Sequence, residues 1–169
     1  NGEYNEEISL YLKAIELNPD DADAYYNLGI AYKDQDNLIK AIQMWEKTID
    51  LNPDDTDAYI NLGIAYGKQD DYTKAIQSYK KAIELKPDGT NTYVKLGIAY
   101  GKQDDYTKAI QSYEKAIELK PDYALAYWNL SISKDSVGDK SGGLEDTKKA
   151  ARLGHTGAQG WLKENGYDW

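Results

Sequence analysis

Apolar residues recur every three or four positions along most of this chain, the spacing that places them on one face of a helix. Between 22 and 34 they include Tyr25, Leu28 and Tyr32. A polar turn at 35–37 separates this stretch from a second one, at 38–51, with the same spacing. Because so short a spacer forces the chain to reverse, the pattern predicts two antiparallel helices that form a hairpin.

This pair of helices returns with a fixed period of 34 residues. The pattern predicts further hairpins from 56–68 with 72–85 and from 90–102 with 106–119, and a degraded hairpin over 124–153. A period of this size is typical of solenoids, in which each repeat buries its apolar face by stacking on its neighbours. The period is marked by Tyr25, Tyr59, Tyr93 and Tyr127, and by Pro19, Pro53, Pro87 and Pro121.

The stretch 3–17 carries one more apolar stripe, and it predicts a helix with no partner helix before it. Where the three full repeats have an alanine, such as Ala75, this helix has Glu7. An alanine is needed there only when another helix presses on it. We therefore interpret the N-terminal end as open.

The second full repeat resembles a tetratricopeptide repeat in Tyr59, Leu62, Gly63, Tyr66, Ala75, Tyr79, Ala82 and Pro87, and so do the copies at 25–53 and 93–121. The resemblance covers about four-fifths of the chain. It implies an all-α fold, a right-handed superhelical α-solenoid of antiparallel helix hairpins. It divides one domain, 1–169, into a lone second helix of a partial repeat (1–21), full repeats at 22–55, 56–89 and 90–123, a degenerate repeat (124–154), and a capping helix and tail (155–169).

Within a repeat, the resemblance assigns close helix contact to the small residues Gly63 and Ala75, and it places tyrosines such as Tyr79 between repeats. At the turn between helices the family has a glycine with positive φ, whereas this chain has Asp36, Asp70 and Asp104. Aspartate tolerates that backbone with strain. Gly67 and Gly101, in the last turns of first helices, indicate either fraying, which we prefer, or clearance for a ligand backbone.

The tail is similar to the junction of SEL-like repeats, which are solenoids of the same class. This similarity implies a capping helix over 156–164, with Trp161 and Leu162 turned onto the fourth repeat and Gly166 just past the helix end. In the fourth repeat, Ser131 replaces the usual glycine and Gly143 the facing alanine. Because this exchange conserves volume, we expect that hairpin to survive.

The composition, with 41% hydrophobic and 29% charged residues, is that of a globular protein. A formal charge of −9 and a pI near 4.6 argue against nucleic acid as a partner, because phosphate binding needs a basic face. No apolar run approaches the roughly 20 residues that span a bilayer. Since Met44 is the only methionine, we expect Asn1 not to be a translation start, and a cytoplasmic location is only a guess.

The chain has few residues of the types that catalyse reactions or bind metals. Cysteine is absent, and His155 is the only histidine, which favours a structural role at a helix start. Too few nitrogen and sulfur ligands exist for zinc, so we expect no metal or other cofactor and no enzymatic activity in this chain. A catalytic domain could lie only in a missing upstream region.

The remaining class of function is the binding of another protein. The resemblance places the binding site on the first helices of the repeats, which line the concave face of the solenoid. The isoleucines there could belong to the core instead, but tyrosines and leucines already supply the core stripe. We predict a protein-interaction scaffold that binds a largely apolar peptide with an acidic residue near its middle. The alternative is a structural protein that assembles with itself. Its homo-oligomers would form through the open N-terminal helix or through the 167–169 tail. The predicted peptide-binding residues are Tyr26, Asn27, Ile30, Ile60, Asn61, Ile64, Lys68, Val94, Lys95, Ile98, Lys102, Trp128, Asn129 and Ile132.

Overall fold

The computed structural model describes residues 2–169, with side chains from residue 6 onward. All of the secondary structure in this part of the chain is helical, as predicted. Two compact units divide the chain at 1–87 and 88–169. The helices are α1 (Gly2–Leu17), α2 (Ala22–Asp34), α3 (Leu38–Leu51), α4 (Thr56–Lys68), α5 (Tyr72–Leu85), α6 (Thr90–Lys102), α7 (Tyr106–Leu119), α8 (Ala124–Ser136), α9 (Lys140–Arg152) and α10 (Thr156–Glu164).

In the first unit, α2 pairs with α3 and α4 pairs with α5, while α1 packs on α2 and α3 on α4. Side-chain caps lie at the starts of α2 and α4. Asp21 and Asp55 each accept a hydrogen bond from the backbone N–H three residues later, at 3.0 and 2.9 Å. Such caps satisfy N–H groups that have no partner inside the helix.

The contact inside the hairpin of each full repeat places a glycine against an aromatic ring. A Cβ added at Gly63 would overlap the ring of Tyr79, and one at Gly29 would overlap Trp45. The prediction for Tyr79 therefore needs correction, because its ring packs against the first helix of its own repeat. The Nε1–H of Trp45 also donates to the carbonyl of Tyr26, at 3.2 Å.

The turns between helices carry the predicted strain. Asp36, Asp70 and Asp104 all have φ of 58°. Tyr72 donates its hydroxyl proton to Asp70 at 2.5 Å, and in the next repeat Tyr106 donates to Asp104 at 2.8 Å. These bonds raise the pKa of both tyrosine hydroxyls, since the carboxylate favours the protonated phenol.

In the second unit, α6 pairs with α7, α8 with α9, and α10 packs on α9. The fourth repeat forms a helix hairpin, as expected. The two helices are close at Gly143, where an added Cβ would lie 3.0 Å from the carbonyl oxygen of Ser131. Lys134 of α8 pairs with Asp146 of α9 at 2.6 Å. Burial nevertheless raises the pKa of Asp146.

Helix α10 has the predicted bounds, and it covers the end of this unit. Its Leu162 is fully buried in an apolar cluster with Ala150 and Ala151 of α9. Trp161, by contrast, is 37% exposed, so only one of the two predicted contacts onto the fourth repeat is made deeply. Gly166 follows the helix with φ of 73°, as expected for the residue past a helix end.

Candidate functional site

The predicted binding residues lie on α2, α4, α6 and α8, the first helices of the repeats. In the first unit they form what we call the first-helix face, which comprises Tyr26, Asn27, Ile30, Ile60, Asn61, Ile64 and Lys68. All are half-buried except Lys68, which is exposed. Half-buried apolar side chains on a surface are the kind that a bound peptide can cover.

A pocket of about 260 Å³ opens between α2, α3 and α4. Its apolar lining comes from Leu38, Trp45, Ile64 and Ala65, and its polar lining from Lys33, Asn61 and Lys68. Three predicted residues therefore share one concavity.

Four pocket residues were not among the predicted ones. One of them, Ala65, is a buried core residue of α4. Leu38 and Trp45 belong to a second helix, and the prediction considered first helices only. Lys33 stands where the next repeats have Gly67 and Gly101, so it breaks the internal repeat. That departure was the signal in the sequence that could have found it.

A hydrogen bond connects the first-helix residues of neighbouring repeats. The Nδ2 of Asn61 donates to the hydroxyl of Tyr26 at 3.1 Å. Burial, and to a smaller extent the charge of Asp57, raise the pKa of Tyr26, so its hydroxyl stays protonated at neutral pH. The pair fixes the amide of Asn61 beside the pocket.

The other predicted asparagines turn back onto their own helices. Asn27 donates to the carbonyl of Asp23 at 2.9 Å, and Asn129 donates to the carbonyl of Leu125 at 3.0 Å. A carboxamide has two N–H hydrogens and an acceptor oxygen, so each retains capacity for a ligand. Its orientation, however, is set by its own helix.

The second unit presents the same rows with one exception. Ile98 and Ile132 are 41% and 46% exposed, and Lys102 is exposed while Lys95 is half-buried. Val94 is only 3% exposed, so it belongs to the core, and its prediction as a peptide-binding residue was wrong. Its small branched side chain fills a buried position where other first helices carry larger residues.

Trp128, also in the second unit, is partly covered by the cap. Its ring stacks on His155, with centroids 5.1 Å apart. His155 is the N-cap of α10, as expected for a structural histidine, and its Nδ1 accepts from the N–H of Ala158 at 3.1 Å. Burial lowers the pKa of this imidazole.

A second pocket of the first unit, about 330 Å³, lies between α3, α4 and α5. Its central polar groups are already paired, because Tyr66 donates to Glu46 at 2.5 Å and the ammonium of Lys74 lies 5.1 Å from the centre of the Tyr66 ring. Burial and the Glu46 bond raise the pKa of Tyr66. This pocket is therefore a weaker candidate than the one beside Asn61.

Across the described residues, no helix has the length and apolar character needed to cross a membrane.

Solved structures with the same architecture include MamA, with 28% identity, 94% of this chain and 92% of that chain covered, and a TM-score of 0.87. MamA from Desulfovibrio magneticus RS-1 has 22% identity, coverages of 90% and 86%, and a TM-score of 0.83. YrrB, described as a TPR protein with an unusual peptide-binding site, has 24% identity, coverages of 96% and 84%, and a TM-score of 0.86. Comparison with curated proteins gives no match.

Three family models match the chain. A tetratricopeptide repeat model matches 56–88 and 90–123, a second matches 10–43, and a TPR repeat model matches 31–70. Together they span 10–88 and 90–123, which are 79 and 34 of the 169 residues. The chain therefore belongs to the tetratricopeptide repeat proteins, helical repeat solenoids that are generally non-catalytic and act as scaffolds for protein partners.

Proposed function

We propose that this chain binds a peptide segment of a partner protein on its first-helix face, with one apolar side chain of the peptide in the pocket between α2, α3 and α4. The observation that carries the proposal is the lining of that pocket. Ile64, Leu38 and Trp45 offer apolar surface, while an amide and two lysines lie beside it. Peptide-binding sites combine such an apolar anchor with a few polar groups that set orientation.

The apolar part of the pocket favours a side chain such as leucine, isoleucine or phenylalanine. Burying one such side chain contributes about 1.5–3 kcal/mol. Ile64 lies on α4, and the Asn61 amide beside it can bond a peptide group that loses water on binding. The likeness to YrrB, which is described as having a peptide-binding site, agrees with this class of ligand.

The lysines favour an acidic residue close to the apolar one. Lys33 is already paired with Asp34 at 3.0 Å, so Lys68 is the better candidate to meet a carboxylate. In a chain with a net charge of −9, a pocket with two lysines is a local exception. The proposed ligand is therefore a largely apolar peptide with an aspartate or glutamate close to the apolar residue that enters the pocket.

Selection from a random peptide-display library on the immobilised chain tests this proposal. Peptides that combine an apolar residue with a nearby acidic one are expected to be enriched. Ile64→Asp places an unpaired charge in the pocket and is expected to abolish their binding without unfolding the repeats. The matched control is Lys80→Glu on the exposed face of α5, where the next repeat already has Glu114.

A second variant tests the acidic preference separately. Lys68→Glu is expected to reduce binding of the acidic peptides and to enrich peptides with lysine or arginine at that position. If Ile64→Asp keeps its circular-dichroism melt and still binds the selected peptides at full strength, the first-helix face is not the binding site. Unchanged selection by Lys68→Glu would remove the carboxylate contact from the proposal.

A further inference from the structure

The first repeat lacks a tyrosine that the next two repeats have in common. Tyr72 and Tyr106 begin the second helices of those repeats, whereas Leu38 begins the second helix of the first one. Each tyrosine donates its hydroxyl proton to the aspartate two residues earlier, at 2.5 and 2.8 Å. Leu38 has no hydroxyl, so the turn at Asp36 lacks the hydrogen bond that offsets strain in the other two turns. A local departure from an otherwise consistent pattern is typical of a functional site.

The second unit shows where the side chain of such a tyrosine lies. There Tyr106 of α7 is half-buried, and its hydroxyl donates to Asp104. The same hydroxyl also interacts with the hydroxyl of Ser136 on α8. The tyrosine side chain therefore extends from the second helix of its own repeat to the first helix of the next repeat, and it fills the region between them.

In the first unit the equivalent region is open. The counterparts of Tyr106 and Ser136 are Leu38 and Lys68, and both line the pocket of about 260 Å³ between α2, α3 and α4. A cavity of about 150 Å³ is large enough for a benzene ring, so this pocket has room for the ring that its own repeat does not supply. Asp36 is exposed, and it holds the position at which the other turns accept a tyrosine hydroxyl proton.

The rest of the pocket lining also suits a tyrosine. Trp45 and Ile64 offer apolar surface, and the Asn61 amide adds a polar group beside them. Tyrosine combines a large apolar ring with a polar hydroxyl, and it is enriched at protein interfaces for that reason. Leucine or phenylalanine would fill the apolar part of the pocket, but neither can donate a proton to Asp36.

We infer that the peptide side chain in this pocket is a tyrosine, whose ring takes the position of the Tyr106 ring in its repeat and whose hydroxyl donates to Asp36. The inference rests on the proposed peptide-binding function and names the residue that the pocket selects. In the later repeats the chain's own tyrosine occupies this region and excludes a ligand. Leu38 leaves the region to a side chain of the partner, so it is the specificity-determining residue of the site.

Two small probes that differ only in a hydroxyl test the inference, N-acetyltyrosinamide and N-acetylphenylalaninamide. Each is titrated into the full chain, and binding is followed by NMR of labelled isoleucine and leucine methyl groups. Both probes are expected to shift the methyl signals of Ile64 and Leu38, and the tyrosine probe is expected to bind about threefold or more tightly. Asp36→Gly keeps the backbone of the turn, and it is expected to remove this difference while the ring still binds.

Leu38→Tyr gives the first repeat the tyrosine of the later ones. It is expected to weaken binding of both probes about tenfold or more, because the new ring fills the pocket. It is also expected to raise the melting temperature, since the new hydroxyl can donate to Asp36. The matched control is Ile39→Tyr, which adds the same residue at the next position of α3, where the side chain is 66% exposed. This control is expected to leave probe binding unchanged.

The reverse change in the second unit is expected to have the opposite effect. Tyr106→Leu opens the region between α7 and α8, so both probes are expected to shift the methyl signals of Ile132 more strongly than in the wild type. Ile132 is the counterpart of Ile64 in this unit. A site gained in the third repeat and lost in the first would assign binding to this one position.

Each measurement has a result that would contradict the inference. No shift of Ile64 by either probe, or wild-type binding by a natively melting Leu38→Tyr, would overturn it. An unchanged ratio of the two affinities in Asp36→Gly would overturn the choice of tyrosine over phenylalanine. Library peptides that lose binding in Ile64→Asp but not in Leu38→Tyr would leave the proposed function standing without the tyrosine. Probe binding as expected, with no library peptide enriched, supports the tyrosine site and counts against the proposed function alone.

Discussion

At the scale of single residues, the clearest strain lies in the three turn aspartates with φ of 58°. This left-handed backbone is unfavourable for residues with a Cβ, and glycine adopts it readily. Asp70 and Asp104 offset part of the strain by accepting a tyrosine hydroxyl proton. Asp36 is followed two residues later by Leu38, which has no hydroxyl. The three turns therefore share a conformation but differ in what stabilises it.

Replacing these aspartates by glycine is expected to separate the two effects. Asp36→Gly is expected to stabilise the fold by about 0.5–1 kcal/mol through relief of the left-handed backbone. Asp70→Gly is expected to stabilise it less, since it also loses the hydrogen bond from Tyr72. Chemical denaturation measures both. Equal effects in the two variants would mean that the tyrosine bond contributes nothing, and a loss of stability in Asp36→Gly would contradict the strain argument.

The second residue-scale prediction concerns the cap of α10. Burial lowers the pKa of His155 below the value of about 6.5 expected in the unfolded chain. Between those two values the unfolded state binds a proton that the folded state does not, so stability rises with pH and is lost as pH falls below about 6.5. Protonation also removes the acceptor that Nδ1 presents to the N–H of Ala158.

The measurement is the melting temperature of the second unit's helices between about pH 7.5 and 5.5. The wild type is expected to lose stability over this interval. His155→Asn keeps a good capping residue without a titrating group, and it is expected to flatten the dependence. An identical pH profile in both proteins would show that other groups cause it.

The sequence did not predict which hydrogen bonds the surface side chains of the helices make. The 34-residue period predicts that these asparagines occupy equivalent positions. It does not indicate that Asn27 and Asn129 donate hydrogen bonds to carbonyls of their own helices, while Asn61 donates to the hydroxyl of Tyr26. Those choices depend on which acceptor lies nearest in three dimensions. Val94 is a similar case, because whether a valine is covered depends on its neighbours and not on its own identity.

At the scale of helices, the sequence was far more informative. The bounds of α2 to α7 follow from the period and the polar turns, because these signals are local, and those of α10 were implied by the resemblance to SEL-like repeats. The pocket beside Ile64 combines three helices, and Leu38 and Trp45 come from the helix that the prediction did not consider. Sites built from several elements need the packing to be known first.

Two glycines on α4, one turn apart, test the packing of the hairpin. Gly63→Ala is expected to destabilise the fold by about 1–3 kcal/mol, because its Cβ would overlap the ring of Tyr79 and force that ring to move. Gly67→Ala is expected to stabilise it by about 1 kcal/mol through higher helix propensity, since its Cβ would meet nothing within 4 Å. Urea denaturation of both variants gives the comparison. Equal changes of the same sign would contradict the assigned contact.

At the scale of the whole molecule, the chain is a series of repeats, and within each unit neighbouring hairpins are in contact. Within the first unit α3 packs on α4, and within the second α7 packs on α8. Stability in such an array is a sum of local terms, so a change at one end is felt mainly nearby. The cap α10 offers a direct way to test this, because its removal alters only one end.

Deleting 157–169 is expected to lower amide protection in α8 and α9 while leaving α2 to α4 unchanged, as measured by hydrogen–deuterium exchange. The deletion removes Leu162 and Ala158 from the cluster that they form with Ala150 and Ala151. Loss of one buried leucine alone costs about 2–5 kcal/mol, and the uncovered apolar surface also promotes aggregation. The control removes only 168–169, which are exposed and lie beyond α10. Uniform loss of protection along the chain would show that all repeats open as one cooperative unit, and unchanged protection in α9 would show that α10 does not act as a cap.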